Sequence, residues 1–312
     1  MVFKEKPKPK AVILTGPTGS GKSSLAVGAA EILGGQIINA DSLAFYRGLD
    51  IGTAKPDPTD QKRVPHHLFD ILEPDEPFDA AQYLALARPI VQKLFMEGKP
   101  PFIVGGTGLY LRSLTKGLFY GPGRQDEIRG EINELARNGA DLYVLLSLED
   151  PAAAAKINPN DFVRIQRALE VIRVTGRSIV DFQKQHSLAD RPFETLVLVI
   201  DVPAGDLDQR LLLRTKSMFD RGLVEETKSI LAKGFEPGSK PLQAIGYREV
   251  QAYLAGEMTL AETMEKVYLR TRQLAKRQRT WFRGQVPEGI WVKPDLSLIT
   301  ELAGDFWAES RD

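Results

Sequence analysis

The sequence predicts an α/β fold, a parallel sheet core interrupted by a mostly helical insertion. Three observations predict it. Short apolar runs end in glycine-rich loops, amphipathic helical stretches separate those runs, and strand signals thin out over residues 121–191 before the pattern resumes. Ala11–Thr15 (AVILT) is the first apolar run, and it ends in a glycine-rich loop. SSLAVGAAEILGG follows, with Leu25, Ala29 and Ile32 at helical spacing and glycines at its end. Gln36–Ala40 reads as a second strand that stops at Asp41-Ser42. Residues 47–79, rich in Pro, Asp and Gly, predict a long excursion. A helix over Ala80–Glu97 leads to a third strand, Phe102–Val104, ending in GGTG. Asp126–Asn138 and Asp161–Thr175 carry helical periodicity. Leu142–Leu148 (LYVLLSL) fits a buried strand or a helix on periodicity alone. Leu196–Val202 is a buried strand, and nearly everything after it reads as helix. Residues 1–120 with 192–312 are therefore expected to form the core, and 121–191 the insertion.

The chain has 312 residues, 43% apolar and 26% charged, enough for one large domain or two modest ones. Forty-one basic residues balance forty-one acidic ones. That argues against a protein coated in nucleic acid, though not against a local basic groove. The absence of cysteine excludes disulfides, a thiol nucleophile and Cys-ligated zinc. With histidines only at 66, 67 and 186, a His-rich metal site is not expected. No apolar stretch approaches the roughly 20 residues a membrane span needs. Met1–Lys10 lacks the apolar segment of a secretory signal and reads as a frayed tail of a cytosolic protein.

Gly16-Pro17-Thr18-Gly19-Ser20-Gly21-Lys22-Ser23 fits G-x-x-x-x-G-K-[ST], between a strand and a helix as that pattern requires. Glycines let backbone N–H groups turn inward as an anion nest, and the helix N-terminus adds positive potential. Lys22 can reach an outer phosphate, and Ser23 can hold Mg²⁺. The expected core is thus P-loop NTPase-like, and its ligand a polyphosphate, whether nucleotide or other diphosphate. Asp41 ends the second strand, so it should face the same crevice. It suits a Mg²⁺ ligand, a general base or a cap of the following turn. Gly105-Gly106-Thr107-Gly108 closes the third strand at the same edge, offering the Thr107 hydroxyl or only a tight connection.

Six of the fourteen residues in Arg270–Arg283 are basic and none is acidic. On a helix, Arg272, Lys276, Arg279 and Arg283 share one narrow face, with Val267, Leu274 and Trp281 opposite to pack on the core. Four cations in register favour an anionic partner, such as an RNA backbone or a diphosphate, over a solvated face of mixed sign. Arg210 and Arg214, one turn apart, either add cations to the crevice or are surface charges.

GPTGSGKS, Ile38–Pro56 (INADSLAFYRGLDIGTAKP), Val64–Leu68 (VPHHL), Val104–Tyr110 (VGGTGLY), Asn158–Val171, Ala244–Val250 (AIGYREV) and Thr271–Arg283 (TRQLAKRQRTWFR) together resemble the tRNA dimethylallyltransferase family, from Gly16 to Arg283. The phosphate loop is shared with many families; the D-S…Y…GTAKP and TRQLAKRQ…WFR blocks are specific to this one. The resemblance implies transfer of a dimethylallyl group from its diphosphate to N6 of the adenine 3′ of the anticodon. It implies that Gly16 to Ser23 and Arg214 hold the diphosphate, with Mg²⁺ near Ser23. Asp41 would accept the N6 proton, and Lys22 and Thr107 would share in catalysis. Implied tRNA contacts fall on Asp41, Ser42, Leu43, Ala44 and Thr107, and in the insertion on Arg129, Val163, Arg164, Ile165, Gln166 and Arg167. Near the C-terminus they fall on Gln243, Gly246, Tyr247, Arg248, Lys276, Arg277, Gln278, Arg279, Trp281 and Arg283. The insertion would grip the anticodon stem-loop, and a monomer would suffice. Ala44 stands where many members carry Gln, which removes one side chain able to read the base. The DP at Asp150-Pro151 matches the family's register and favours helix over Leu142–Leu148. A P-loop small-molecule kinase using ATP is the alternative reading, and a non-catalytic RNA-binding module would leave the phosphate loop unexplained.

Overall fold

The computed structural model describes residues 8–117, 121–186, 192–286 and 288–309. The chain divides into two compact units, Met1–Thr115 with Pro192–Asp312, and Lys116–Arg191.

The first unit begins with β1 (Lys10–Thr15), α1 (Lys22–Leu33), β2 (Gln36–Asn39), α2 (Pro58–Arg63), β3 (His66–His67), α3 (Ala80–Met96), β4 (Pro101–Val104) and α4 (Gly108–Lys116). The second unit holds α5 (Asp126–Arg137), α6 (Leu142–Glu149), α7 (Pro151–Ala154), α8 (Phe162–Thr175) and α9 (Ile179–His186). The chain returns as β5 (Glu194–Ile200), α10 (Ala204–Asp220), α11 (Leu223–Ala232), α12 (Tyr247–Leu254), α13 (Leu260–Gln285), β6 (Ile290–Val292) and α14 (Leu296–Ala308).

The six strands form one parallel sheet in the order β3-β2-β4-β1-β5-β6. All six residues of β1 are buried, which is why AVILT reads as a continuous apolar run: helices cover both faces of a parallel sheet. Val12, Leu14, Phe102, Val104, Leu198 and Ile200 alternate onto one face and join a core with α1, α10 and α14. α3 packs across β1, β2 and β4. Its start is fixed by a reciprocal cap in which the Asp79 carboxylate accepts from Ala81 N and Gln82 N, while Gln82 Oε1 accepts from Asp79 N. Such caps stabilise by about 1 kcal/mol. Because the strands are parallel, the loops leaving β1, β2 and β4 emerge side by side at one edge.

Two expectations change, and a third, helix over Leu142–Leu148, holds. Lys10 is no tail residue: it opens β1, is 5% exposed, and donates to Phe306 O at 2.8 Å; residues 1–7 of the expected tail lie outside the described residues. Two edge strands, β3 and β6, were not legible, since two or three residues cannot display a period of two. Leu142–Leu148 is helix, started by the Asp141 carboxylate accepting from Tyr143 N and Val144 N.

The second unit packs Ile132, Leu146, Ile165 and Leu169 into its own core. Ile165 is 2% exposed, so its side chain holds α8 in place instead of meeting RNA. Glu170 is fully buried. It accepts from Arg129 Nε (2.8 Å) and Nη2 (2.9 Å), from Arg167 Nη1 (2.6 Å) and from Gln125 N (2.7 Å). Burial pushes its pKa up, but the Arg129, Gln125 and Arg167 bonds outweigh that and hold it below the usual glutamate value. Arg129 and Arg167, expected as RNA contacts, thus neutralise a core carboxylate. Glu170→Ala leaves both arginines without that partner and should destabilise the protein by about 3–5 kcal/mol; thermal denaturation followed by circular dichroism measures it.

Candidate active site

The loop after β1 turns tightly at Gly19 and Gly21, whose φ values of 81° and 85° suit glycine. Gly21 is the N-cap of α1, so the loop ends on a helix N-terminus. Ser20 N donates back to Pro17 O at 3.2 Å, closing the turn. The Ser20 hydroxyl is buried with no partner among the described residues.

This loop lines a cavity of about 470 Å³ together with the loops after β2 and β4, α10 and α13. Thr18, Lys22 and Ser23 enter from the phosphate loop, Asp41 to Ala44 from the loop after β2, Thr107 from the loop after β4, Arg214 from α10 and Gln278 from α13. The cavity is strongly cationic at one end. Burial lowers the Lys22 pKa from 10.5 to about 8; Asp41 pulls it back up and Arg214 pushes it down further. Burial likewise holds the Arg214 pKa below the usual arginine value, opposed by Asp41. Arg214 Nε is buried without a partner among the described residues. Two desolvated cations and an unpartnered guanidinium nitrogen in the cavity wall fit a diphosphate. Arg210 is exposed, does not line the cavity, and donates to Ser20 O at 3.3 Å from behind the loop. Of the two arginines, Arg214 is the one in the cavity wall.

Asp41 is held from three sides. Its N–H donates to Asn39 Oδ1 (2.8 Å), its carbonyl accepts from Asn39 Nδ2 (3.1 Å), and its Oδ1 accepts from Leu43 N (3.0 Å). The capping role is therefore real for one oxygen, while Oδ2 has no partner among the described residues. Thr107 Oγ1 accepts from Ser42 N at 2.9 Å, which leaves its own proton available to a ligand. Phe45 anchors the same loop in an aromatic group with Phe78, Tyr83 and Tyr110, its ring 4.7 Å from that of Phe78.

Lys55, which the sequence quoted only as part of GTAKP, is the hub of the excursion. Its Nζ donates to Tyr46 O (2.6 Å), Asp50 Oδ1 (2.7 Å) and Asp70 Oδ1 (2.5 Å). Asn39 was also missed; the only signal for either is a polar residue flanked by acidic or turn residues. No three acidic or histidine side chains among the described residues cluster as a metal site. Were a Mg²⁺ ion carried in on phosphate oxygens, the Ser23 hydroxyl and the Asp41 carboxylate are the cavity-lining groups that could hold it.

Other expected contacts lie elsewhere. Gln243 and Arg248 are exposed, but Tyr247 is fully buried against Gly52, its hydroxyl donating to Glu226 at 2.6 Å, so its side chain cannot meet RNA. Gly246, also buried, precedes α12 with φ 101°. On α13, Arg272 pairs with Asp208 (2.8 Å) and Arg279 with Asp201 (3.3 Å), while Arg283 lies over the Trp291 ring. Lys276 and Arg277 are exposed. Half of the row therefore faces carboxylates of its own chain. The opposite stripe turns inward as expected, with Val267 buried at 1% exposure and Trp281 packed over Gly108; Ala275 and Phe282 are buried as well, and Val267 and Leu274 also line the cavity. In the second unit, Val163 and Arg164 are exposed on α8, and Gln166 donates to Asn133.

A family model described as IPP transferase matches residues 44–285. A tRNA dimethylallyltransferase of Geobacter sulfurreducens is 50% identical, covering 96% of this chain and 97% of its own. One from Geobacter metallireducens is 47% identical over 93% and 94%. Among solved structures, the full-length tRNA isopentenylpyrophosphate transferase of Bacillus halodurans is similar at a TM-score of 0.73, with 34% identity, covering 97% of this chain and 98% of that one. A eukaryotic dimethylallyltransferase crystallised acting on tRNA gives a TM-score of 0.79 at 28% identity, over 92% and 75%.

Because burial lowers the Lys22 pKa to about 8, an anion should bind best below that pH, where the ammonium is charged. Affinity for inorganic pyrophosphate should fall as pH rises through about 8, and binding near that pH should take up a proton. Calorimetry in buffers of different ionisation enthalpy measures both.

Proposed function

The chain belongs to the IPP transferase family, and we propose that it moves a dimethylallyl group from dimethylallyl diphosphate to N6 of the adenine immediately 3′ of the anticodon in tRNA. Prenyl transfer to tRNA comes with the family, whose P-loop NTPase-like fold this sheet shares. The observation that supports the atomic assignment is the convergence of Lys22, Arg214 and Asp41 on one cavity.

In this reading the phosphate loop, Lys22 and Arg214 bind the diphosphate. As the allylic C1–O bond breaks, the electron pair stays on the diphosphate oxygen, and these groups stabilise the departing anion; one well-placed donor of this kind is worth about 2.7–4 kcal/mol. N6 attacks C1, and Asp41 Oδ2, the oxygen not used in the turn, accepts the N6 proton. The Thr107 hydroxyl orients the base beside it. Mg²⁺ at Ser23 would shield charge on the diphosphate. The adenine reaches Asp41 by leaving its stack, which costs least in a single-stranded loop. Its anticodon stem-loop is held by the exposed cations Arg248, Lys276, Arg277 and Arg283. In this reading a monomer suffices, because one tRNA per active site needs no partner subunit. No described helix is long and apolar enough to cross a membrane, and we place the protein with its tRNA in the cytoplasm. The kinase reading is not favoured, because the relatives above are tRNA transferases.

Incubation with labelled dimethylallyl diphosphate and unmodified tRNA should put label into tRNA, whereas ATP turnover without tRNA labelling would sink the proposal. Asp41→Ala should lower turnover about 10²-fold or more with tRNA binding retained; single-turnover kinetics and filter binding read the two effects. Replacing Lys276 and Arg283 by Gln should flatten the salt dependence of tRNA binding by about one slope unit per lost phosphate contact.

A further inference from the structure

Gln278 was expected to touch tRNA, and its surroundings point elsewhere. Its Oε1 accepts from Thr18 N at 2.8 Å, and its Nε2 donates to Gly106 O at 3.2 Å. One side chain from α13 therefore spans the phosphate loop and the loop after β4. The two loops run close together there: a Cβ on Gly106 would lie 2.6 Å from Gln278 Nε2 and 3.7 Å from Gly16 O. A methyl group at residue 106 would therefore displace this amide. The next residue, Thr107, bonds in turn to the loop that carries Asp41, through Thr107 N to Ala40 O (3.3 Å) and Ser42 N to Thr107 Oγ1 (2.9 Å).

We propose that Gln278 is a positioning residue for the diphosphate: it braces the phosphate loop against the loop after β4, and so holds the backbone N–H groups of Gly19, Gly21, Lys22 and Ser23 in their anion-binding arrangement. This deepens, and rests on, the reading of the cavity as a diphosphate site. The chemistry favours a primary amide. A loop N–H needs an acceptor and a strand-end carbonyl needs a donor, and among side chains of this length only glutamine offers both without charge. A carboxylate there would repel the ligand, and an ammonium would leave Thr18 N unsatisfied. With the Thr18 amide occupied, Thr18 meets the cavity through its other atoms.

The opposite possibility is a plug, in which the amide occupies a donor that the diphosphate would otherwise take. The two make opposite predictions. Gln278→Met keeps length and packing but loses both hydrogen bonds. As a brace, its removal should weaken binding of inorganic pyrophosphate, measured by calorimetry, about tenfold or more. It should also raise KM for dimethylallyl diphosphate by a similar factor, with tRNA affinity within twofold of wild type by filter binding. Gly106→Ala, which pushes the amide off by contact, should reproduce the effect, and the double variant should be no worse than the weaker single. Tighter pyrophosphate binding in Gln278→Met would overturn the brace in favour of the plug. Unchanged pyrophosphate binding with weakened tRNA binding would return Gln278 to the RNA contacts. Wild-type protein that fails to bind pyrophosphate would defeat the diphosphate reading itself, a failure visible before any variant is made.

Discussion

The arrangement of this protein follows from two cations taken out of water. Lys22 and Arg214 sit in the wall of one cavity with Asp41 as their carboxylate neighbour. One negative charge cannot compensate two desolvated positive ones. Burial wins over Asp41 at Lys22, as its fall to about 8 shows. A site with that imbalance is costly when empty and gains by taking an anion, because the ligand supplies the charge that the fold withholds. A leaving group that gains negative charge on departure exploits the same imbalance a second time. The balance also explains why the carboxylate is single. A second one would neutralise the site and remove its grip on diphosphate.

Such a site works only if its backbone does not relax around the charges. The sheet supplies the coarse geometry by bringing the ends of β1, β2 and β4 together. Three polar side chains then fix the loops: Asn39 on the Asp41 turn, Lys55 on the segment from Tyr46 to Asp70, and Gln278 between the phosphate loop and Gly106. Each bonds to backbone and is itself mostly satisfied, so the loops are held by short side chains in low dielectric, where hydrogen bonds are strong. None of the three carries out a chemical step.

Much of this was legible in the sequence, for identifiable reasons. β1, β2, β4 and β5 end on glycine or polar turns after apolar runs, and both signals are local. The phosphate loop announces itself because few sequences turn their N–H groups inward. Asp41 was legible as a candidate, but its three competing roles were not separable, and the structure shows it capping with Oδ1 while Oδ2 stays unpartnered. What was not legible depends on the far side of a helix. A helical wheel grouped Val267, Leu274 and Trp281, yet it cannot say whether an apolar stripe meets core or cavity, and two of the three line the cavity. It likewise cannot know that Asp201 and Asp208, distant in sequence, would claim Arg279 and Arg272. The family resemblance placed Arg129 and Arg167 at RNA, and their pairing with the buried Glu170 was not legible beside it, because Glu170 lies within an unremarkable helical pattern.

The backbone itself carries a last trace of what the site demands. Among the described residues, the non-glycine residues with positive φ are Ala54 (51°), Leu68 (63°) and Asp70 (53°). All three fall in the excursion that follows Asp41. Conformations of this kind cost on the order of 1–3 kcal/mol each and persist where the surroundings over-determine them. The surroundings here can be named. Leu68 O is taken by Asn39 Nδ2, the side chain that also fixes Asp41, and Asp70 Oδ1 by Lys55 Nζ, which is next to Ala54 in the chain. Strain and restraint thus share the same two side chains, which tie the excursion back onto the Asp41 turn. A loop that needed only to connect β2 to α3 would relax, since nothing in a surface connection offsets the cost. The strain is tolerated where the same side chains hold the Asp41 turn at the edge of a cationic cavity, with one carboxylate oxygen uncommitted for the proton transfer proposed above.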